Sequence, residues 1–156
     1  MLFSTKEDVG APADWVWAQI TDFETFEKLA LRRGADIQRV DRASVPLVGS
    51  GWKGRAKFRG KEREVVAKIV QLDAPHQMRI EGVSQNFQLS VEVELVALSP
   101  RRTRMRVAFE AKPQTLSARL IMQSARLAKT SLTKRYKKRV ADFAEELDAR
   151  YQRQVA

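Results

Sequence analysis

Apolar residues recur along this chain first at period two and then at helical spacing, and the change of period divides it. From Phe87 to Ala97 the alternation is clean, with Phe87, Leu89, Val91, Val93 and Leu95 on one side and Glu92 and Glu94 on the other. Trp52 to Phe58 alternates likewise: Trp52, Gly54, Ala56 and Phe58 face one way, Lys53, Arg55 and Lys57 the other. Half-exposed antiparallel strands have this pattern. A two-residue turn at Gly60-Lys61 would set Arg59 against Glu62, Lys57 against Glu64, Ala56 against Val65 and Trp52 against Ile69. Beyond Ser99-Pro100-Arg101, Met105, Val107 and Phe109 point inward, while Arg102, Arg104 and Arg106 point out, across from Glu92 and Glu94.

The remaining elements follow from their punctuation. Phe3 to Val9 reads as a strand, broken by Gly10-Ala11-Pro12 ahead of a helix over Ala13 to Ile20. Thr21 with Glu24 three residues on fits a capping box for a second short helix, which carries Phe23, Phe26 and Leu29 on its apolar side. Strands are expected at Ile37 to Asp41 and Met78 to Val83, a loop from Pro46 to Gly51, and a turn at Asp73-Ala74-Pro75. From Thr115 to about Tyr151, some 37 residues run without Gly or Pro, which predicts one long closing helix. One strand, two helices, six strands and a helix read as a single α+β domain over residues 1–156.

Two apolar stripes lie on the long segment at about 100° per residue. Leu116, Leu120, Ser124, Leu127, Ala128 and Ser131 form the first; Leu132, Tyr136, Val140, Phe143, Leu147 and Tyr151 form the second, rotated by roughly 140°. The halves therefore need different partners, or the helix bends near Thr130-Ser131. The expectation is that the first half faces a concave sheet and the second packs on the two short helices. Small residues in the first half (Ser117, Ala118, Ser124, Ala125) either leave a cavity against the sheet or permit a close helix-to-sheet approach.

Charge adds an asymmetry. The net charge is +10; residues 101–156 carry 15 basic against 5 acidic groups, and residues 32–63 carry 10 against 3. From Arg126 to Arg139 seven bases occur without an acid: Arg126, Lys129, Lys134, Arg135, Lys137, Lys138 and Arg139. All but Arg139 project away from the local apolar stripe. Arg126, Lys129, Lys134, Lys137 and Lys138 are the candidates for contact with an anionic membrane surface; sparse aromatics and the lack of a recognition motif disfavour nucleic acid.

Catalytic chemistry has little to rest on. There is no cysteine, and the single histidine, His76, sits in a turn beside Pro75. No metal-ligand spacing occurs, and no cofactor is implied. Gly49-Ser50-Gly51 lacks the Lys and the strand-to-helix context of a phosphate loop. Arg63 stands where it could meet an anionic head group or reach the rim. The opening MLFSTKEDVGAP has no apolar core, which sets the expectation of a cytoplasmic protein.

One succession of residues carries a family likeness: the first strand, Gly10-Ala11-Pro12, a helix with Trp15-Val16-Trp17, Thr21-Asp22-Phe23 opening a second helix, Val48-Gly49 before a strand, Asp73-Ala74-Pro75, and the long terminal helix. Over essentially its whole length the chain resembles the SRPBCC superfamily, the helix-grip fold of START lipid-transfer domains, pollen-allergen-type ligand carriers and polyketide aromatase/cyclases. It is most similar to small polyketide cyclase/dehydrase-like and coenzyme Q-binding-like proteins. The resemblance implies a curved antiparallel sheet of about seven strands wrapped around the long C-terminal helix, with an apolar ligand between them. No catalytic residue transfers with it. The expected lining is Phe58, Ile80, Phe87, Leu89, Val91, Met105, Val107 and Phe109 from the strands, and Leu120, Ser124, Leu127 and Ala128 from the helix. Binding of a lipid, isoprenoid or polyketide-like molecule without catalysis is the expected function. A cyclase or dehydratase and a basic adaptor to membrane or nucleic acid are its competitors.

Overall fold

A computed structural model describes residues 1–41, 47–58 and 61–156, and of 56–58 the backbone alone. Seven antiparallel strands form one sheet: β1 (Leu2–Val9), β2 (Asp36–Arg39), β3 (Gly51–Phe58), β4 (Lys61–Asp73), β5 (Gln77–Ser84), β6 (Phe87–Ser99) and β7 (Arg102–Pro113). Their order across the sheet is β1-β7-β6-β5-β4-β3-β2. The consecutive strands are hairpin neighbours, and β1 closes onto β7 from the other end of that run. Two short helices, α1 (Ala13–Ile20) and α2 (Phe23–Arg32), follow β1; α3 (Leu116–Leu127) and α4 (Lys129–Val155) end the chain.

The core sits where β1, α1 and α4 meet the inner faces of β4 to β7. Val9, Val16, Ile69, Leu95, Met105, Ala144 and Leu147 are all buried there. Thr103, the buried polar residue on β7, donates its hydroxyl to the Ala11 carbonyl at 2.8 Å and so satisfies it inside the core. At the far end of α4, the Gly10 N–H donates to the Asp148 carboxylate, Trp15 meets Tyr151 edge-on at 5.0 Å, and the Trp15 indole donates to Gln154 at 2.8 Å. A Cβ on Gly10 would stand 3.0 Å from that carboxylate, which would have to give by a few tenths of an ångström.

Several sequence expectations change in detail. α2 is capped by Asp22, whose carboxylate accepts from the Thr25 N–H and hydroxyl, while Thr21 closes α1 by donating its hydroxyl to the Trp17 carbonyl. The β3–β4 hairpin is two residues out of the expected register: Trp52 faces Ala67, Gly54 faces Val65 and Arg55 faces Glu64. The slip is even, so every side chain keeps its face. The proposed Gly60-Lys61 turn, the Arg59–Glu62 pair, the Lys57 side chain and Pro46 fall wholly or partly outside the described residues; Lys61 itself already belongs to β4. On the outer face Glu94 does meet Arg106, at 3.7 Å, but Glu92 pairs with Arg79, and Arg102 and Arg104 both turn to Asp8 on β1.

The closing helix is two helices. It breaks at Ala128 (φ −102°, ψ 13°), two residues before the bend expected at Thr130-Ser131. The second stripe faces inward as read, with Leu147 buried and Val140, Phe143 and Tyr151 packed on the core, but its main partner is β1 and not the two short helices. Beyond the contacts to α1, α4 runs along β1, where Tyr136 donates its hydroxyl to the Val107 carbonyl at 2.6 Å and stands 5.6 Å from Phe3, ring to ring. The first stripe is inverted. α3 buries Ala118 and Met122 toward β7, and Leu116, Leu120 and Leu127 look outward. Of the small residues there, Ala118 is buried in that contact while Ser117 and Ser124 are exposed, so in α3 they do not face a cavity.

Candidate functional site

With α4 lying over β1 and α3 beyond it, the concave face of β3, β4 and β5 is left for α2 to cover. Gly54 and Ala67 lie there, on adjacent strands whose register sets Gly54 against Val65 and Trp52 against Ala67. These positions cannot fill the gap beneath a helix whose principal neighbour is β2. The result is an apolar cavity of about 390 Å³, lined by Phe23, Phe26, Ile37, Trp52, Val65 and Ile80, among others. Volume here comes from small residues in the sheet; the sequence reading had looked for it in small residues of the helix. A larger groove of about 1020 Å³ with several charged residues on its walls lies on the other side of α2, against α4, and shares Phe26 and Ala35 with the cavity.

One carboxylate enters this apolar wall. Phe23, Phe26 and Glu27 are spaced i, i+3 and i+4, so the apolar side of α2 also presents Glu27. Its Oε1 accepts from the Trp52 indole N–H at 2.8 Å and from Arg39 Nε at 3.0 Å. Arg39 in turn lies 5.8 Å from the Trp52 ring centroid, and Phe23 meets the same ring edge-on at 4.8 Å. Both charged side chains are only about a quarter exposed (23% for Arg39, 25% for Glu27), so the pair is partly desolvated and its charge-assisted bonds fix Trp52 as one cavity wall. Chemically the arrangement offers an apolar volume and one oriented anionic acceptor.

The residues read from sequence distribute widely. Ile80 lines the cavity. Val91, Leu89 and Phe87 continue the same concave face on β6, opposite Ile80, Gly82 and Ser84, and are half-buried. Met105 is core, 2% exposed, Val107 packs against that core, and Phe109 stacks on Phe3 at 6.5 Å. Leu120, Ser124, Leu127 and Ala128 stand on the exposed side of the chain's third helix and its end, away from the cavity, because the contact face of α3 is Ala118–Met122. The side chain of Phe58 lies outside the described residues. Arg63 donates to Gln85 at 2.6 Å beside the β5–β6 turn. His76 is exposed in the β4–β5 turn, and Ser50 of the glycine-flanked loop is buried by its bonds to Asp41 and to the Leu47 N–H. Arg126, Lys129, Lys134, Lys137 and Lys138 are all exposed.

What the sequence reading passed over is Glu27, with Trp52 and Ala67. The signal was an acid at i+4 from Phe23, inside an otherwise apolar helix face.

The family model described as polyketide cyclase/dehydrase and lipid transport matches residues 2–148. The chain belongs to that family. No curated protein matches it. Among solved structures, a Thermus thermophilus protein superposes with a TM-score of 0.66 at 13% identity, covering 100% of both chains. An aromatase/cyclase from Streptomyces gives 0.66 at 12% identity over 100% of this chain and 96% of its own. A START superfamily protein from Mycobacterium smegmatis gives 0.55 at 14% identity over 86% and 95%. At such identities the likeness is one of fold, and it makes the helix-grip architecture plain. Family membership brings ligand-binding or cyclase-like chemistry into scope without choosing between them.

Proposed function

We propose that the protein binds a compact apolar or amphipathic molecule between α2 and the concave face of β2–β5, and binds it without transforming it. The observation that carries this is the cavity itself, with aromatic and aliphatic walls and Glu27 as the oriented acceptor. Its volume of about 390 Å³ is at the low end of the ~300–1,000 Å³ typical of small-molecule sites, which favours a compact ligand over a two-chain lipid. A hydroxyl or amine on that ligand would bond Glu27. Glu27 Oε1 is fixed by its bonds from Trp52 and Arg39, which orients the carboxylate to hold a donor.

Ala67→Phe places a ring in the cavity. Uptake of the apolar fluorophore N-phenylnaphthylamine should fall at least about tenfold in that variant, and native mass spectrometry of gently purified wild type should show a co-purified small molecule. Protein that is uniformly empty and takes up no probe, or a variant that takes it up unchanged, would count decisively against the reading. The competing reading is a cyclase or dehydratase on a polyketide-like substrate, supported by the same carboxylate acting as base. Glu27→Gln separates the two: a binder keeps its probe uptake and loses selectivity for donor-bearing ligands, whereas an enzyme keeps uptake and loses turnover.

A further inference from the structure

Leucines are seldom left in water on a helix that has a partner within reach, yet α3 leaves four large aliphatic residues there. Leu116 is 73% exposed, Leu120 57%, Ile121 44% and Leu127 92%. At about 100° per residue Leu116, Leu120 and Leu127 fall within some 40° of one another. They form a ridge almost opposite the buried Ala118 and Met122. The helix is thus amphipathic twice over: a narrow face docks on β7, and a leucine ridge faces outward.

The charges beside the ridge identify what covers it. Arg119 and Arg126 flank it on one side, and Lys129, Lys134, Arg135 and Lys137 continue from it onto α4. Across residues 111–141 nine bases occur and no acid. Among the described residues the ion pairs in that stretch are Lys112 with Glu110 and Lys138 with Asp142. A second copy of this chain would bring the same unrelieved positive field against itself, since a twofold contact is self-complementary. A nucleic acid backbone would engage the bases but has no use for the leucines. An apolar ridge between cationic flanks is the pattern of a helix lying in a lipid interface, leucines among the acyl chains and bases at the phosphates.

We propose that α3 is a membrane-docking helix, which seats the protein on anionic phospholipid through Leu116, Leu120 and Leu127, with Arg119, Arg126 and Lys129 at the head groups. This is independent of the cavity, which opens on the other part of the molecule beneath α2.

Vesicle flotation tests it, with phosphatidylcholine alone and with phosphatidylcholine mixed with phosphatidylglycerol. The wild-type chain should float with the mixed vesicles and stay behind with the neutral ones. Leu120→Ser with Leu127→Ser should weaken binding at least about tenfold with an unchanged melting temperature, because both side chains are already in water. Arg126→Gln with Lys129→Gln should also weaken it and serves as a second probe that touches no apolar contact. Absence of flotation overturns the proposal. So does flotation indifferent to the leucines, which would reduce the contact to charge alone. Leucine-dependent retention on immobilised polyglutamate without flotation would assign the ridge to an acidic protein and overturn it too. Probe uptake measured on the same variants should be unchanged, so a failure here leaves the cavity reading standing, and the reverse.

Discussion

Asp8 holds the β1–β7 edge by accepting from Arg102 Nη2 at 2.7 Å and from Arg104 Nε and Nη2 at 2.9 and 3.3 Å. Those bonds, Arg104 first and then Arg102, hold its carboxyl at about 2, well under the ordinary 3.8. A depressed carboxylate stabilises the fold above its unfolded pKa, and the contribution disappears as pH falls through the folded value. The window is therefore about pH 4 down to 2. Wild type should lose melting temperature across it more steeply than Asp8→Asn, which has nothing there to lose. At neutral pH the substitution itself should cost no more than about 1 kcal/mol, since both arginines are substantially solvated. A calorimetric pH series on the two proteins checks both statements. Residue-scale chemistry of this kind was half-legible in the sequence. Alternation placed Arg102 and Arg104 on the outer face, but β1 was read without a partner, so the competition between Asp8 and Glu92 for them could not be seen. Glu27 was hidden for the opposite reason: an acid in a short helix reads as solvated, and its partners, Arg39 and Trp52, sit on the next two strands, whose folding back onto α2 no spacing in the sequence announces.

At the scale of elements, strands were read almost to the residue and the terminal helix only in half. β6 and β7 alternate over long runs, so period two fixed their faces, and even the two-residue slip of β3 on β4 could not exchange them. α4 carries large residues on its buried stripe and was equally plain. α3 misled because leucine is normally the inward residue; the docking face is made of Ala118 and Met122, chosen for closeness to β7. The contrast predicts opposite outcomes for one substitution at two sites. Leu147→Ala, at 1% exposure in the core, should cost about 2–5 kcal/mol. Leu127→Ala, at 92% exposure, should stay within about 0.5 kcal/mol. Denaturant midpoints at constant slope measure the difference. Comparable losses at both positions would mean that α3 packs by its leucines after all.

For the molecule as a whole, the question is what a net charge of +10 does to a fold that places most of the excess on one flank. Eight of the nine bases of residues 111–141 lie along α3 and α4, from Arg119 to Arg139, a path of about 30 Å at 1.5 Å per residue. At ~0.01 M salt the screening length is about 30 Å, so each base feels most of the others; at ~0.1 M it is about 10 Å, and only neighbours remain. Salt also weakens ion pairs, but those that tie the sheet, such as Asp8 with Arg104 at 2.9 Å and Arg79 with Glu92 at 3.1 Å, act at distances far inside either length. Relief of repulsion should therefore exceed loss of attraction, and sodium chloride over this range should raise the melting temperature. Chloride rather than sulfate is the right anion, because sulfate would also strengthen apolar burial. Lys134→Gln with Lys137→Gln, both exposed and without an ion pair among the described residues, should raise the melting temperature at low salt and flatten its rise. A melting temperature that is flat or falls with chloride would show that the basic flank is already neutralised in the free protein, and would remove the electrostatic half of the case for docking on an anionic surface.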